Sequence, residues 1–266
     1  MTRRRWIALG AVVVVLGVVG AGGWWWLSRD RAREVTIEEA QKRLGATTTA
    51  AGGLEGRPAQ GVYEYRGDGK DSLSLPPLSQ SQGPGMPGTV ELLDDGCWTF
   101  RIDYSSNHWQ DWKYCRRSTG LMEITSHTWQ RWLIGPTALT ALATFECEDT
   151  PALPEPRRPG QVWRARCSGS NDRVSGTVGN SGPYRFVGME VLRIGGEAVD
   201  AAHFRRERTL TGAQKGTEKG DVWFAASNGL PLRNERRIEL RTDTPVGASV
   251  YKESGHFELV SLRPTR

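Results

Sequence analysis

The stretch Asp221-Val-Trp-Phe-Ala-Ala-Ser-Asn-Gly-Leu-Pro-Leu-Arg-Asn-Glu-Arg-Arg-Ile-Glu-Leu-Arg241 decides the fold class. Apolar side chains alternate with other residues at Val222 and Phe224, and again at Ile238 and Leu240. A period of two is typical of a β-strand with one buried face. The Asn-Gly dipeptide between the two runs is favoured in the tight turn of a β-hairpin. The stretch therefore predicts two antiparallel strands.

Turn signals recur through the rest of the C-terminal region and divide it into short alternating runs. Helical periodicity is almost absent there, which favours antiparallel β structure. We predict one mainly β domain over residues 61–266, built as a curved antiparallel sheet that forms a half-barrel or a barrel-like shape. Two sandwiched domains remain an alternative at this length. The turn signals outside the quoted stretch are Gly67-Asp-Gly69, Asp94-Asp-Gly96, Ser118-Thr-Gly120, Gly195-Gly196 and Asp243-Thr-Pro-Val-Gly247.

The domain contains four cysteines, none of them in a Cys-x-x-Cys pair. Zinc sites usually contain such close pairs, whereas an even number of separated cysteines is typical of disulfides in an oxidising compartment. Each cysteine lies in a strand-like run, and neighbouring runs favour the local pairs Cys97–Cys115 and Cys147–Cys167. Crossed pairings remain open, because four cysteines allow three connectivities. The strand-like runs are Cys97–Tyr104, His108–Arg117, Ala138–Cys147 and Gln161–Ser168.

Two stretches rich in proline, glycine and serine, Leu73–Gly88 and Pro151–Gly160, are predicted to be loops. The second stretch falls between Cys147 and Cys167. A disulfide between those cysteines would make it the end of a long hairpin, so we do not predict a domain boundary there.

Residues 6–27 carry no charged side chain. A helix of about 20 apolar residues is long enough to cross a bilayer. The tryptophans at positions 24–26 suit the headgroup region at the far end of such a helix. We therefore predict a transmembrane helix over residues 6–27. A cleaved export signal and a buried helix of a soluble domain are the alternatives.

Three arginines lie on each side of this segment, so the positive-inside rule gives no orientation. The cysteines decide it, because disulfides form in an oxidising compartment. We predict a cytoplasmic N-terminus at residues 1–5 and an extracytoplasmic domain, in a single-pass protein of the cell membrane. Residues 28–60 are predicted to form a juxtamembrane helix, which Thr36 caps and Gly45 ends, followed by a flexible tether.

The net charge of +5 does not indicate a nucleic-acid partner. Six arginines and two acidic residues in residues 1–35 account for +4 of it, so the domain is close to neutral. Nucleic-acid-binding domains usually carry a clear basic surface. We interpret the local basic stretches of the domain as solvated strand faces, with contact to an anionic lipid or polymer as the alternative. They contain Arg158, Arg164, Arg166, Arg205, Arg206 and Arg208.

No catalytic motif is recognised in the chain. Glu190 and Asp200 lie near His203 in sequence, but a catalytic set would also need a serine or cysteine within reach. Nucleophile-elbow, zinc-peptidase and Ser-x-x-Lys patterns are not found. We expect no catalytic residue, no metal site and no cofactor. The histidines, which we interpret as ordinary strand residues, are His108, His127, His203 and His256.

Tryptophan is the more informative residue type. The unit Trp-Gln-x-Trp occurs at Trp109–Trp112 and again at Trp129–Trp132. Positions three apart on a strand face opposite sides, so each unit should place one ring inward and one outward. Outward rings on adjacent strands form a platform for a glycan, a lipid chain or a bilayer surface, or simply pack on each other. A curved sheet would also turn one face of the strand around residue 223 toward its interior. The candidate ligand-binding residues are Trp109, Trp129, Trp223 and Phe224.

Six short motifs are distributed over residues 61–264: Gly61-Val-Tyr-x-Tyr65, Asp95-Gly-Cys-Trp98, Asp221-x-Trp-Phe224, Gly229-Leu-Pro-x-Arg233, Tyr251-x-Glu253 and Ser261-Leu-x-Pro264. Together they resemble an actinobacterial family of uncharacterised single-pass membrane proteins with an external β domain. The Trp-Phe and Gly-Leu-Pro-x-Arg elements are also similar to the late strands of lipoprotein-carrier folds of the LolA and LppX kind. Those folds wrap a curved antiparallel sheet around a hydrophobic cavity, so the resemblance implies an apolar ligand such as a lipid or acyl chain. The chain departs from them in lacking long amphipathic helices and a lipobox cysteine.

The sequence thus predicts a membrane-anchored cell-envelope protein. Its external β domain is expected to bind an apolar or amphiphilic ligand, such as a lipid, or to scaffold an envelope protein. One alternative is an envelope hydrolase with carboxylates from separated strands, because paired acids need not be close in sequence. The other is a purely structural, partner-binding subunit. An apolar cavity, a cleft with two carboxylates or a flat exposed patch would distinguish the three.

Overall fold

The computed structural model describes residues 32–45, 56–93, 96–245 and 247–265. The predicted transmembrane helix over residues 6–27 lies outside these residues. None of the helical structure within them has the length and hydrophobicity needed to span a bilayer. The elements of the described chain are helix α1 (Ile37–Leu44) and strands β1 (Gly61–Ser74), β2 (Pro77–Gln82), β3 (Gly85–Leu92), β4 (Cys97–Ser105), β5 (His108–Arg117), β6 (Gly120–Ile134), β7 (Thr137–Pro154), β8 (Val162–Asn171), β9 (Val174–Ile194), β10 (Glu197–Gly212), β11 (Lys215–Ala225), β12 (Pro231–Thr244) and β13 (Gly247–Leu259).

Twelve of the described strands close into an antiparallel barrel. Apart from β2, each strand pairs with the next along the chain, and β13 returns to pair with β1. The predicted curved antiparallel sheet is confirmed, and it forms a closed barrel rather than an open half-barrel. We call the end with the turns after β1, β4, β6, β8, β10 and β12 the mouth, and the opposite end the base. Strand β2 pairs with the mouth-side part of β1, and β3 with the base-side part.

The prediction of a loop over Leu73–Gly88 is wrong. This segment contains the end of β1, all of β2 and the start of β3. Leu78, Gln80 and Gln82 are all buried, which is the alternation of a strand with one inward face. Proline is tolerated at the start of β2 because the outer edge of this strand pairs with no described strand. The prolines obscured this alternation in the sequence.

The turn predicted at Gly67-Asp-Gly69 is also wrong, because β1 runs continuously through it. A Cβ atom on Gly67 would lie 2.0 Å from the backbone oxygen of His256 on β13. The glycine is therefore required by the close approach of two strands and not by a turn. The predicted turns at Gly195-Gly196 and Asn228-Gly229 do lie between consecutive, paired strands.

Both predicted disulfides are confirmed. Cys97–Cys115 joins β4 to β5, and Cys147–Cys167 joins β7 to β8, in each case between directly paired residues. Strand β7 continues to Pro154, so only the second part of the predicted Pro151–Gly160 loop is irregular. The disulfide makes this region the end of one hairpin, as the cysteine spacing indicated.

Helix α1 agrees with the prediction at both ends. Thr36 forms a capping box with Glu39, and Gly45 follows the last turn. The helix packs on the outside of β1 and β3, where Gln41 donates a hydrogen bond to the backbone oxygen of Thr265. The sequence predicted a flexible tether between this helix and the barrel. The helix instead lies against the outside of the barrel wall.

The base half of the interior is a packed aromatic core. The ring of Phe100 lies 5.6 Å from Tyr65, 6.0 Å from Trp112 and 6.2 Å from Phe257, measured between centroids. Burial of one such side chain stabilises the fold by about 1.5–3 kcal/mol. Among the described residues, the void beside Phe100 measures about 20 Å³, which is room for about one water molecule. The base is therefore closed.

Candidate ligand cavity and its ionic floor

A cavity of about 370 Å³ occupies the mouth half of the barrel. This volume falls within the range of about 300–1,000 Å³ that is typical of small-molecule sites. The wall is mainly apolar and receives side chains from strands all around the barrel, whereas the floor is charged. Prominent wall residues are Leu73, Trp132, Leu139, Phe145, Leu210 and Leu240.

The cavity exists because inward positions near the mouth carry small side chains where those near the base carry rings. On β7, Ala143 is paired with Thr128 of β6. Farther round the wall, Gly216 lies directly between Leu210 and Leu240, so the middle of that row has no side chain. Packed interiors leave few voids larger than a water molecule, so this space is a feature of the sequence and not of loose packing.

Charged residues at the floor occupy two rows of directly paired inward positions. Each row crosses β10, β11, β12, β13 and β1 in turn, and together with Glu123 on β6 they form what we call the ionic floor. The first row is Arg208, Glu218, Ile238, Glu253 and Asp71, and the second is Arg206, Gly220, Arg236, Gly255 and Gly69. The charged members of the ionic floor are Arg206, Arg208, Arg236, Asp71, Glu123, Glu218 and Glu253.

Every arginine of the ionic floor is paired with a carboxylate. The six side chains are all buried, so their charges have little access to water. Removal of one partner of a buried ion pair destabilises a protein, because it leaves the other charge buried and uncompensated. Each arginine of the floor is therefore neutralised by a partner, and Asp71 is a fourth buried carboxylate of the first row. The pairs are Arg206–Glu218 at 3.0 Å, Arg208–Glu123 at 3.1 Å, and Arg236–Glu253.

Glycines make room for the guanidinium groups inside the barrel. Gly220 is paired with Arg206 on one side and with Arg236 on the other, and Gly255 is paired with Arg236. A Cβ atom on Gly220 would lie 2.3 Å from the backbone oxygen of Glu235, so the strands also approach closely here. Alternation of arginine and glycine between neighbouring strands thus fits the two large cations Arg206 and Arg236 into one row.

The floor carboxylates are held ionised. Burial alone would raise the pKa of Glu253, but Arg236 and two hydrogen bonds outweigh burial and hold this pKa at about 2. Burial is likewise outweighed for Glu218, whose pKa is lowered by Arg206 and Arg208. Both groups therefore act as counter-ions at neutral pH.

A hydrogen-bonded network ties the ionic floor to β1 and β2. Gln82 donates to Asp71 at 3.0 Å and to Glu253 at 3.1 Å. The Nδ1 atom of His108 lies 3.2 Å from Asp71, and both of these side chains are fully buried. The network fixes the positions of polar groups that burial would otherwise penalise.

Two polar side chains at the cavity can each form one more hydrogen bond. The Oδ1 atom of Asn180 and the Nε atom of Arg208 are buried and have no hydrogen-bond partner among the described residues. Both side chains line the cavity, and each residue is 5% exposed. An unsatisfied buried polar atom costs about 1–3 kcal/mol. A ligand group that both donates and accepts would match this acceptor and this donor.

The interpretation of the basic stretch Arg205–Arg208 as a solvated strand face is wrong for two of its arginines. Arg206 and Arg208 point into the barrel and are each 5% exposed, whereas Arg205 is exposed on the outside. They share the inward face of β10 with Phe204, which is fully buried. The signal in the sequence was their even spacing from that phenylalanine, but their charge favoured a solvent-facing interpretation.

Each Trp-Gln-x-Trp unit places one ring inward and one outward, as predicted. Trp112 and Trp132 are buried inside the barrel, and Trp132 lies on the cavity wall. Trp109 and Trp129 are paired across β5 and β6 and stack outside it, with ring centroids 6.2 Å apart. Arg101 lies over the ring of Trp109 at 4.1 Å. Ligand contact by the two outer rings stays a prediction.

Trp223 and Phe224 lie on opposite faces of β11, as the alternation predicted. Phe224 points into the closed base, where its ring centroid lies 6.0 Å from that of Tyr114. Trp223 lies outside and stacks on His203 at 4.1 Å. Neither residue lines the cavity, and their contact with a ligand also stays a prediction.

Outside the barrel, His203 lies between two carboxylates. Its Nδ1 atom is 2.7 Å from Glu190, and its Nε2 atom is 2.7 Å from Asp221. Burial would raise the pKa of Glu190, but hydrogen bonds from Trp223 and His203 outweigh it and lower this pKa. Because both ring nitrogens are engaged, His203 has none left to activate a nucleophile in this arrangement.

One group of potential metal ligands lies beside the ionic floor. Ligand atoms of Glu123, Cys147 and Cys167 are within 4.8 Å of one another. The two sulfurs are joined in a disulfide and are not thiolates, which are the form of cysteine that binds metals. Glu123 is also the partner of Arg208. These residues do not fit a metal ion.

Comparisons with known proteins add little to this geometry. No family model matches the chain, and no curated protein matches it. Among solved structures, the chain is similar to the crystal structure of the hypothetical lipoprotein YmcC from Escherichia coli (K12), with 11% sequence identity, a TM-score of 0.35 and coverage of 86% of this chain and 99% of that one. This remote similarity specifies neither a ligand nor a partner. Membership of the actinobacterial family stays a prediction.

Proposed function

We propose that this protein is a membrane-anchored binding protein of the cell envelope that holds one amphiphilic ligand in the mouth half of its barrel. The observation that carries the proposal is the cavity itself, with an apolar wall above a buried floor whose arginines are all paired with carboxylates. An apolar tail would lie against the wall, and a polar end group would meet the floor.

The wall would supply most of the binding free energy. Burial of a methylene group stabilises a complex by about 0.8 kcal/mol, so a chain of twelve contributes about 10 kcal/mol before association costs are subtracted. The two disulfides support an envelope location, since such bonds persist in oxidising compartments.

The floor favours a polar but uncharged end group. Its three arginines are each paired with a carboxylate, and Asp71 is held by Gln80, Gln82 and His108, so an added charge would find no counter-ion that is free to meet it. A hydroxyl group can donate to Oδ1 of Asn180 and accept from Nε of Arg208. The ligand class that fits both features is a neutral, hydroxyl-bearing amphiphile, such as a monoacylglycerol or a long-chain alcohol.

We propose binding without catalysis. Glu218 and Glu253 converge at the floor, which is the feature that the hydrolase alternative requires. A general acid at neutral pH needs a raised pKa, whereas the pKa values of both carboxylates are lowered by arginines. The electrostatics of the floor therefore support a binding role better than glycoside-type hydrolysis.

Native mass spectrometry of residues 32–266, secreted with both disulfides intact, tests the proposal. We expect one bound mass per chain, and lipid extraction should identify it as a neutral amphiphile. Ala143→Trp places an indole in the cavity and should remove the bound mass. Leu142→Trp, at the neighbouring outward and partly exposed position, should retain it. A folded protein without any bound mass, or an Ala143→Trp variant that retains it, would contradict the proposal.

A further inference from the structure

The described chain begins beside the turn between β4 and β5, which lies below the rim of the mouth because β6 runs on to Ile134 beyond it. The backbone nitrogen of Arg33 donates to Oγ of Ser106 at 3.1 Å, and the backbone nitrogen of Ser106 donates back to the oxygen of Arg33 at 2.7 Å. Ser106 lies in the turn between β4 and β5, which is on the mouth side of the barrel at the level of Arg131 of β6. Glu34 also accepts a hydrogen bond from Gly85 at 3.2 Å. From this point α1 runs toward the base.

The linker to the apolar segment is short. Residues 6–27 are the predicted membrane span, and the described chain starts at Ala32. The five peptide steps from Leu27 to Ala32 reach at most about 17 Å. Strands rise about 3.3 Å per residue, so base turns that are ten or more residues away along a strand lie farther off. Arg29 and Arg31 of the linker favour anionic headgroups.

The barrel wall has a gap near this attachment. Strand β5 begins opposite Gln130, and Arg131 still donates to the backbone oxygen of Asn107, so residues 132–134 of β6 extend beyond this edge toward the mouth. The outer edge of β2 also pairs with no described strand. The hydrogen-bonded wall is interrupted between these two edges, and we call this interruption the slot. Leu75 and Trp132, on either side of it, both line the cavity. Leu75 is 38% exposed, so the slot has an apolar margin.

We infer that the mouth and this slot face a lipid bilayer and that the ligand passes directly between bilayer and cavity. The inference rests on the proposed function for the identity of the cavity as a ligand site. The occupant of the surface is a lipid membrane and not a protein, because the length of the linker and its point of attachment bring a bilayer there. The exposed cation Arg131 beside the slot suits an anionic leaflet.

The test uses the full chain in liposomes of phosphatidylethanolamine and phosphatidylglycerol. A photo-crosslinking residue is placed at Pro136, in the mouth turn after β6, or at Glu197, the first residue of β10 after the base turn; both positions are exposed. We expect at least tenfold more lipid adduct at Pro136. Equal adducts at the two positions, or more at Glu197, would overturn the inference.

A spacer provides the matched control. Insertion of twenty glycine and serine residues after Arg31 frees the barrel from the bilayer and should reduce the Pro136 adduct to the level of Glu197. An unchanged adduct would overturn the argument from linker length. The ligand measurement on residues 32–266 is independent of both results. A bound ligand without a Pro136 adduct would refute the orientation alone, and an adduct without a bound ligand would refute the proposed function alone.

Discussion

The mouth half and the base half of the barrel interior are built from the same strands but filled differently. In the base, rings such as Phe100 and Phe257 interlock and close the interior. In the mouth, residues such as Ala143 and Gly216 leave a cavity of about 370 Å³. The ionic floor separates the two halves. The difference indicates that side-chain packing in the base stabilises the fold, whereas the looser packing in the mouth leaves space that a ligand can occupy.

The largest effect is expected where the two halves meet. Arg236→Met leaves Glu253 buried without its cation, which should lower the free energy of unfolding by about 4 kcal/mol. The double variant Arg236→Met/Glu253→Gln removes both charges and should recover at least half of that loss. Urea denaturation of the three proteins measures both quantities. A single variant that costs less than 1 kcal/mol would mean that the floor does not depend on this pair.

The second prediction compares the two halves directly. Phe100→Ala removes a fully buried ring from the base and should cost about 3–4 kcal/mol. Leu240→Ala shortens a side chain on the wall of an existing cavity and should cost about 1 kcal/mol, because fewer packing contacts are lost. Equal costs in denaturation experiments would show that the mouth is as tightly packed as the base.

The ionic floor also predicts acid sensitivity. The pKa of Glu253 is about 2 in the folded protein and near 4.5 in an unfolded chain. This carboxylate therefore contributes stability above pH 4.5, and the contribution is lost as the pH falls toward 2. The expected loss is about 3 kcal/mol. In unfolding experiments from pH 6 to pH 2, Glu253→Gln should show a shallower pH dependence than the unaltered domain. Identical slopes would contradict the assignment.

The smallest effect is expected on the outside of the barrel. Trp109→Ala removes one ring of the stacked outer pair and should cost about 1 kcal/mol of stability. Ligand affinity should stay within a factor of two, because this ring lies outside the cavity. A tenfold loss of affinity in a fluorescence titration would move the ligand site from the mouth to the outer tryptophans.

Local patterns were sufficient to predict the architecture. Period-two alternation gave the antiparallel sheet, and the spacing of Cys97 and Cys115 gave a pairing between neighbouring strands. The wrong predictions concern residues whose role depends on a strand that is distant in sequence. Gly67 marks a close approach to β13 that no local signal distinguishes from a turn. Prolines hid the inward alternation of β2.

The candidate site was harder to predict because it depends on register around the whole barrel. Arg208 and Glu253 are far apart in sequence and meet at the floor through rows of paired residues on intervening strands. The alternation placed Phe224 on an inward face, but it does not show at which height the interior changes from packed to open. That height depends on small residues such as Ala143 and Gly216, which carry no signal of their own.

The most direct test of the central claim is a titration with a fluorescent long-chain alcohol. Leu240→Asp places a carboxylate on the cavity wall, and Arg241→Asp places one on the adjacent outward position of β12. The account predicts saturable binding by the unaltered domain, at least a tenfold loss in Leu240→Asp, and a change of less than twofold in Arg241→Asp. Equal affinities of the two variants, with both proteins folded, would contradict a ligand site inside the mouth of the barrel.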